Sequence, residues 1–269
     1  MIPMVDGLAP ANAAQKTSEA YILPALDQHF MLSEPMRGVR FMLEYEKARQ
    51  TLRAHRIVST LVVFGSSRVR EGGPGRQAFW YNEARRFGQI ASERGGALNR
   101  GGEGLVNVVA TGGGPGIMEA ANRGAIDAGA PTIGFNITLP REQQPNSYTT
   151  PELTFRFHYF AMRKMHFAMT ARALVVFPGG FGTFDELFEM LTLAQTGKAP
   201  KLPIVLIDEA YWRAVVNFDA LVDSGMVALG DIELFRFAAD AASAWRELVN
   251  AGLIGHAPMV DLPIANEEN

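Results

Sequence analysis

From residue 57 onward the chain alternates short apolar runs with longer stretches in which apolar residues recur every three to four positions. Short apolar runs suit strands buried on both faces, and helical stretches between them cover a parallel sheet from both sides. The pattern predicts strands over 58–64, 105–111, 132–137, 174–177 and 204–207, with a weaker one over 234–238. It predicts helices over about 76–94, 116–128, 159–170, 184–195, 209–223 and 241–251. The fold class expected is therefore α/β, a Rossmann-like doubly wound parallel sheet with helices on both faces and helical extensions at each end. Upstream, the spacing of Met36, Val39, Met42, Leu43, Tyr45 and Leu52 among charged residues predicts an amphipathic scaffold helix over 32–56. Residues 1 to about 20 read as a loose tail, and the Pro-containing 256–269 as a surface arm. The organisation expected is 1–56 as tail and packing helix, 57–255 as the main domain and 256–269 as the arm.

In such a sheet the turns after the strands gather at the carboxyl edge, where ligands bind. Three of these turns are unusual. The first, Gly65-Ser66-Ser67-Arg68, offers hydroxyls and a guanidinium; the second is Gly112-Gly113-Gly114-Pro115-Gly116; the third is Pro178-Gly179-Gly180-Phe181-Gly182-Thr183. Glycine lets the backbone take positive φ and lets a ligand approach closely, and a helix start behind the turn points unpartnered N–H groups at an anion. Pro115 suits the first turn of the helix that follows it. Gly113, Gly114, Gly116, Gly179, Gly180, Gly182 and Thr183, with Ser66, are the candidate phosphate ligands. Glu186, expected in the first turn of the next helix, reads in two ways: as an acid facing the loop, or as half of a Thr183-x-x-Glu186 capping box. Asp185 should point about 100° away from it. Arg163 and Lys164 lie among apolar residues on the preceding helix, where Arg163 could pair with Glu186 or a phosphate. Lys164 could serve as a further phosphate ligand or carry its charge to solvent.

The chain has 269 residues, 48% of them hydrophobic, enough for one large core. A net charge of −3 lacks the basic excess of a phosphate-reading nucleic-acid binder. There is no cysteine, so disulfides, thiolate metal sites and a thiol nucleophile are excluded, and the 5 histidines are scattered without metal-ligand spacing. No leader-like start and no run of ~20 apolar residues is found, so no membrane is expected as a partner and cytoplasm is the expected compartment. The Walker pattern, the Gly-x-Gly-x-x-Gly fingerprint of the first turn and the Gly-x-Ser-x-Gly elbow are all missing. A mononucleotide or sugar phosphate is the ligand the turns fit.

The stretch Pro178-Gly179-Gly180-Phe181-Gly182-Thr183-Phe184-Asp185-Glu186 resembles the Pro-Gly-Gly-x-Gly-Thr-x-x-Glu hallmark of the "lonely guy" (LOG) phosphoribohydrolases, long labelled lysine decarboxylases. Arg163-Lys164 matches the pair preceding it in that family, and 112–120 is similar to its other glycine motif. The stretch from Gly134 to Pro140, with Gln143 or Gln144 and Asn146, is similar to the longer bacterial members. The resemblance covers about 58–212 and implies hydrolysis of the N-glycosidic bond of a nucleoside 5′-monophosphate. It implies Arg163 and Glu186 as the catalytic pair, the glycines and Thr183 as a phosphate cradle, a homodimer and no cofactor. Amino-acid decarboxylation would need a pyridoxal phosphate lysine, for which only Lys164 is near. A non-catalytic nucleotide carrier is the rival of another class. The extensions at both ends exceed the compact plant enzymes.

Overall fold

Seven strands form one all-parallel sheet: β1 (Thr60–Phe64), β2 (Val108–Thr111), β3 (Ile133–Ile137), β4 (Thr154–Phe157), β5 (Ala171–Val176), β6 (Ile204–Ile207) and β7 (Arg236–Ala238). Their order is β4-β3-β2-β1-β5-β6-β7. This computed structural model describes residues 11–99, 104–140 and 144–253. The expected doubly wound α/β fold is observed. β1 is buried at every position because successive side chains point to opposite covered faces. Val62 and Phe64 enter one core, Leu61 and Val63 the other.

The chain divides into two units, Met1–Glu46 and Lys47–Asn269. The first holds α1 (Ala13–Thr17), α2 (Gln28–Leu32) and the start of α3 (Arg37–Ala54). Within it, Asp27 caps α2 by accepting from Phe30 N at 2.9 Å, and Arg40 Nη1 donates to the carbonyls of Met31 and Ser33. In the second unit the strands are connected or followed by α4 (Gln77–Gly95), α5 (Ile117–Asp127), α6 (Phe160–Thr170), α7 (Phe181–Gln195), α8 (Glu209–Val215), α9 (Phe218–Asp223) and α10 (Ala241–Asn250). Phe87 of α4, Ile117 of α5 and Leu248 of α10 build one core; Phe167 of α6, Leu187 of α7 and Trp212 of α8 build the other.

Several elements depart from the pattern-based expectation. Residues 13–21, expected in a loose tail, form α1 and a 3-10 turn. The helix expected from residue 32 begins at Arg37, after a separate 3-10 turn containing Pro35. β4 was not anticipated: it is a four-residue edge strand in which Phe155 and Phe157 turn inward while Arg156 is exposed. The helix expected over 209–223 breaks at Val216, whose backbone is extended, and Asn217 recaps the chain by accepting from Ala220 N. β1 and β2 start later than expected, since Ile57 and Leu105 form only an isolated bridge. Pro115 lies before the Gly116 N-cap of α5 and not inside its first turn. The arm expected over 256–269 and residue Gln143 lie outside the described residues.

Phe135 of β3 is fully buried, with its ring against Phe155, Phe157 and Phe167. It joins the edge strand to α6. Phe135→Ala should cost about 3–5 kcal/mol of stability, read from urea denaturation followed by circular dichroism.

Candidate active site

The chain runs outward from β1 to β4, then returns to place β5 on the other side of β1. That reversal opens a crevice at the carboxyl ends of β1 and β5, the place where doubly wound sheets bind ligands. A cleft of about 590 Å³ occupies it. Its walls include Ser66 and Arg68 of the first turn, Gly112 and Gly114 of the second, and Gly180, Gly182 and Thr183 of the third, with Arg163 and Glu186.

The Ser66 backbone ties the three turns together. Its N–H donates to the Pro178 carbonyl at 3.1 Å, and its carbonyl accepts from Ile117 N at 3.1 Å. Gly116, at φ +73°, passes so close that a Cβ there would stand 2.4 Å from the Ser66 oxygen. The Ser66 hydroxyl itself accepts from Arg68 N at 3.0 Å, leaving its O–H free to turn toward a ligand.

The third turn ends in the N-terminus of α7. Gly180 is the N-cap and supplies no side chain, and the first intrahelical bond runs from Phe184 N to Gly180 O. The N–H groups of Phe181, Gly182 and Thr183 therefore lack helical partners and sit at the positive end of the dipole. Starting α7 at Phe181, three residues earlier than expected, moves Glu186 into the second turn. The Thr183-x-x-Glu186 capping box does not form.

Glu186 instead receives a hydrogen bond from Arg163 Nη2 on α6, with both side chains about nine-tenths buried. The guanidinium also lies against the rings of Phe160 and Phe167, at 5.4 and 5.8 Å. Arg163 Nε has no partner among the described residues. Burial pushes the Glu186 carboxyl up to about 7, against the opposing charge of Arg163. Only one carboxylate oxygen is engaged by Arg163, so the other is available to the cleft.

Four candidate residues stand elsewhere. Lys164 Nζ is held between Asp185 and Glu189, both at 3.1 Å, and does not line the cleft. Burial acts to lower its pKa, but the hydrogen bonds to these two carboxylates outweigh it and keep the ammonium protonated. Asp185 is exposed, as its helical offset from Glu186 requires. Gly113 and Gly116 shape the second turn without lining the cleft. Gly179 makes room for Thr183, since a Cβ there would lie 2.1 Å from Thr183 Oγ1. Met162 of α6 packs on the core.

Two supporting residues, Tyr211 and Asp208, carried no sequence signal strong enough to single them out. Tyr211 donates its hydroxyl hydrogen to the Gly179 carbonyl at 2.6 Å, and burial raises its pKa, so the donor is retained. Asp208, at φ +71°, accepts from Tyr211 N and from Trp80 Nε1 and pairs with Arg76, which fixes the start of α8. Buried Asn146 donates from its backbone to Gly113 O and from its amide to Gly114 O. Its amide also reaches Asn122, which accepts from Thr111 and donates to Thr132. The available clue was position alone: Asp208 and Tyr211 follow β6 at the same sheet edge. Among the described residues no group of three or more His, Asp or Glu side chains stands together to hold a metal, and no helix is long and apolar enough to cross a membrane.

A family model described as "Possible lysine decarboxylase" matches residues 118–248, which contain Arg163 and the third turn but not the first two. The cytokinin riboside 5'-monophosphate phosphoribohydrolase LOG2 of Arabidopsis thaliana is 28% identical over 127 residues, covering 46% of this chain and 58% of that protein. The cytokinin riboside 5'-monophosphate phosphoribohydrolase of Rhodococcoides fascians is 28% identical over 136 residues, covering 49% and 66%. The chain thus spans less than two thirds of these relatives' length. The X-ray structure of TM1055, a structural-genomics target, is 19% identical and superposes with a TM-score of 0.50 over 71% of this chain and 99% of that one, which supports the fold. The family match and these relatives together make the chain similar to the LOG proteins over the segment that carries Arg163 and the third turn.

Proposed function

We propose that the chain hydrolyses the N-glycosidic bond of a nucleoside 5′-monophosphate, AMP or an N6-modified AMP, to the free base and ribose 5-phosphate. The observation that carries this reading is the buried Arg163–Glu186 pair beside an uncapped helix N-terminus in one cleft. The activity named for the relatives supports the same reaction. The 5′-phosphate sits on the free N–H groups of α7, with Ser66 and Thr183 beside it. Arg163 fixes one oxygen of Glu186, and the other faces the sugar, where it stabilises the cation-like ring and takes a proton from water. Water adds to the sugar carbon as the C–N bond breaks, and the proton held by Glu186 passes to the departing base. A carboxyl near 7 is suited to both transfers at neutral pH.

Decarboxylation, the reaction in the family model's description, would require a neutral lysine amine for a Schiff base, and Lys164 is instead held protonated by two carboxylates. Tyr211 acts as a positioning residue that holds the Gly179 carbonyl, and so the phosphate turn, in place. The mouth of the cleft carries exposed aromatic side chains, Phe181 at 94% and Phe160 at 50% exposure. A second copy of the chain covers this patch in the proposed homodimer.

Chromatography of AMP incubated with the pure protein tests the reaction. The parent should release adenine and ribose 5-phosphate; intact AMP that remains bound would favour a nucleotide carrier. Glu186→Gln should lower kcat by about 100-fold or more with little change in KM. Because the carboxylate is the working form, kcat/KM should fall about tenfold per pH unit below about 7 and level off above it. In Tyr211→Phe, loss of one hydrogen bond of about 1 kcal/mol should raise KM roughly fivefold while kcat holds. Phe181→Glu should shift the protein from dimer to monomer in sedimentation; an unchanged mass would remove Phe181 from the interface.

A further inference from the structure

The far end of the cleft from α7 is closed by Asn136 of β3. Its side chain is about nine-tenths buried, and two glycines make the space it occupies. A Cβ at Gly113, itself at φ +68°, would stand 2.4 Å from Asn136 Nδ2, and one at Gly134 would stand 3.1 Å from it. Among the described residues the amide makes one hydrogen bond, from Nδ2 to the Gly134 carbonyl at 3.4 Å. Asn136 Oδ1 accepts none among the described residues. Asn136 lines the cleft, where this oxygen can accept from a ligand donor. The Gly134 carbonyl also fixes the orientation, because exchanging the amide's ends would set oxygen against oxygen.

The sheet order states what lies opposite this oxygen. With phosphate on α7, after β5, the edge runs through β1 and β2 to β3, three strand spacings or about 14 Å away. That is comparable to the span of a nucleoside monophosphate, whose base then reaches the β3 end between Met118 and Ile137.

On the proposed hydrolysis reading, we infer that Asn136 is a specificity-determining residue: its Oδ1 accepts a hydrogen bond from the exocyclic amine of a 6-aminopurine. A 6-oxopurine presents an acceptor at that position and meets the fixed oxygen unfavourably. An N6-substituted adenine keeps one N–H and is still read.

The test is kcat/KM for AMP and for IMP, with the inhibition constant of ribose 5-phosphate, in the parent, Asn136→Ala and the similarly sized Asn136→Leu. The parent should prefer AMP by about tenfold or more. Both variants should lose that preference while ribose 5-phosphate inhibits all three proteins equally. A parent that hydrolyses both nucleotides equally, or a preference kept in either variant, would overturn the assignment and leave the hydrolase standing. Ribose 5-phosphate weakened as much as AMP in both variants would also overturn it, placing Asn136 behind the Gly113 turn as a support. A parent that hydrolyses neither nucleotide would overturn the proposed reaction and this assignment with it.

Discussion

The site depends on one stretch of backbone, the peptide groups of Ser66. One donates to the turn after β5 and the other accepts from the first residue of α5, so the two glycine turns are spaced through a third. Hydrogen bonds of this kind contribute only about 1 kcal/mol each, but they fix relative position because the groups are directional. Gly116 is the steric condition for that arrangement. Any side chain there would displace the Ser66 carbonyl and separate the β2 turn from the β1 turn.

Around this frame the protein places a charge pair where it is costly. Arg163 and Glu186 are each largely withdrawn from water, and a buried pair gains little over its desolvation penalty. The aromatic faces of Phe160 and Phe167 offset part of that cost for the guanidinium. Burial raises the pKa of the Glu186 carboxyl although a cation touches it. By contrast Lys164, one residue from Arg163, points to a different side of the helix and finds two carboxylates. Adjacent residues on a helix point about 100° apart, and here that offset separates a site residue from a surface ion pair.

The sheet, its parallel sense and the three ligand-edge turns were legible in the alternation of apolar runs with helical periodicity. β4 was not, because Arg156 interrupts a run of only four residues and the strand is ordered by pairing with β3. The beginning of α7 was misplaced for a related reason. Gly182 and Thr183 are poor helix formers, so the pattern delays the helix to Phe184, whereas the structure starts it at Phe181. The shift removes the capping box and leaves Glu186 to Arg163.

The sequence by itself determined the fold class, the positions of the glycine turns and the identity of Arg163 and Glu186 as the charges near them, since periodicity and glycine content are local properties. Only the tertiary structure decided that those two side chains meet and that Lys164 does not join them. It also decided that Tyr211 and Asn146 hold the glycine turns from behind and that Asn136 closes the cleft. These are contacts between distant segments: Tyr211 lies 32 positions from Gly179 and Asn146 lies 32 from Gly114. Such contacts follow from the order in which strands pair, which no local pattern of residues encodes.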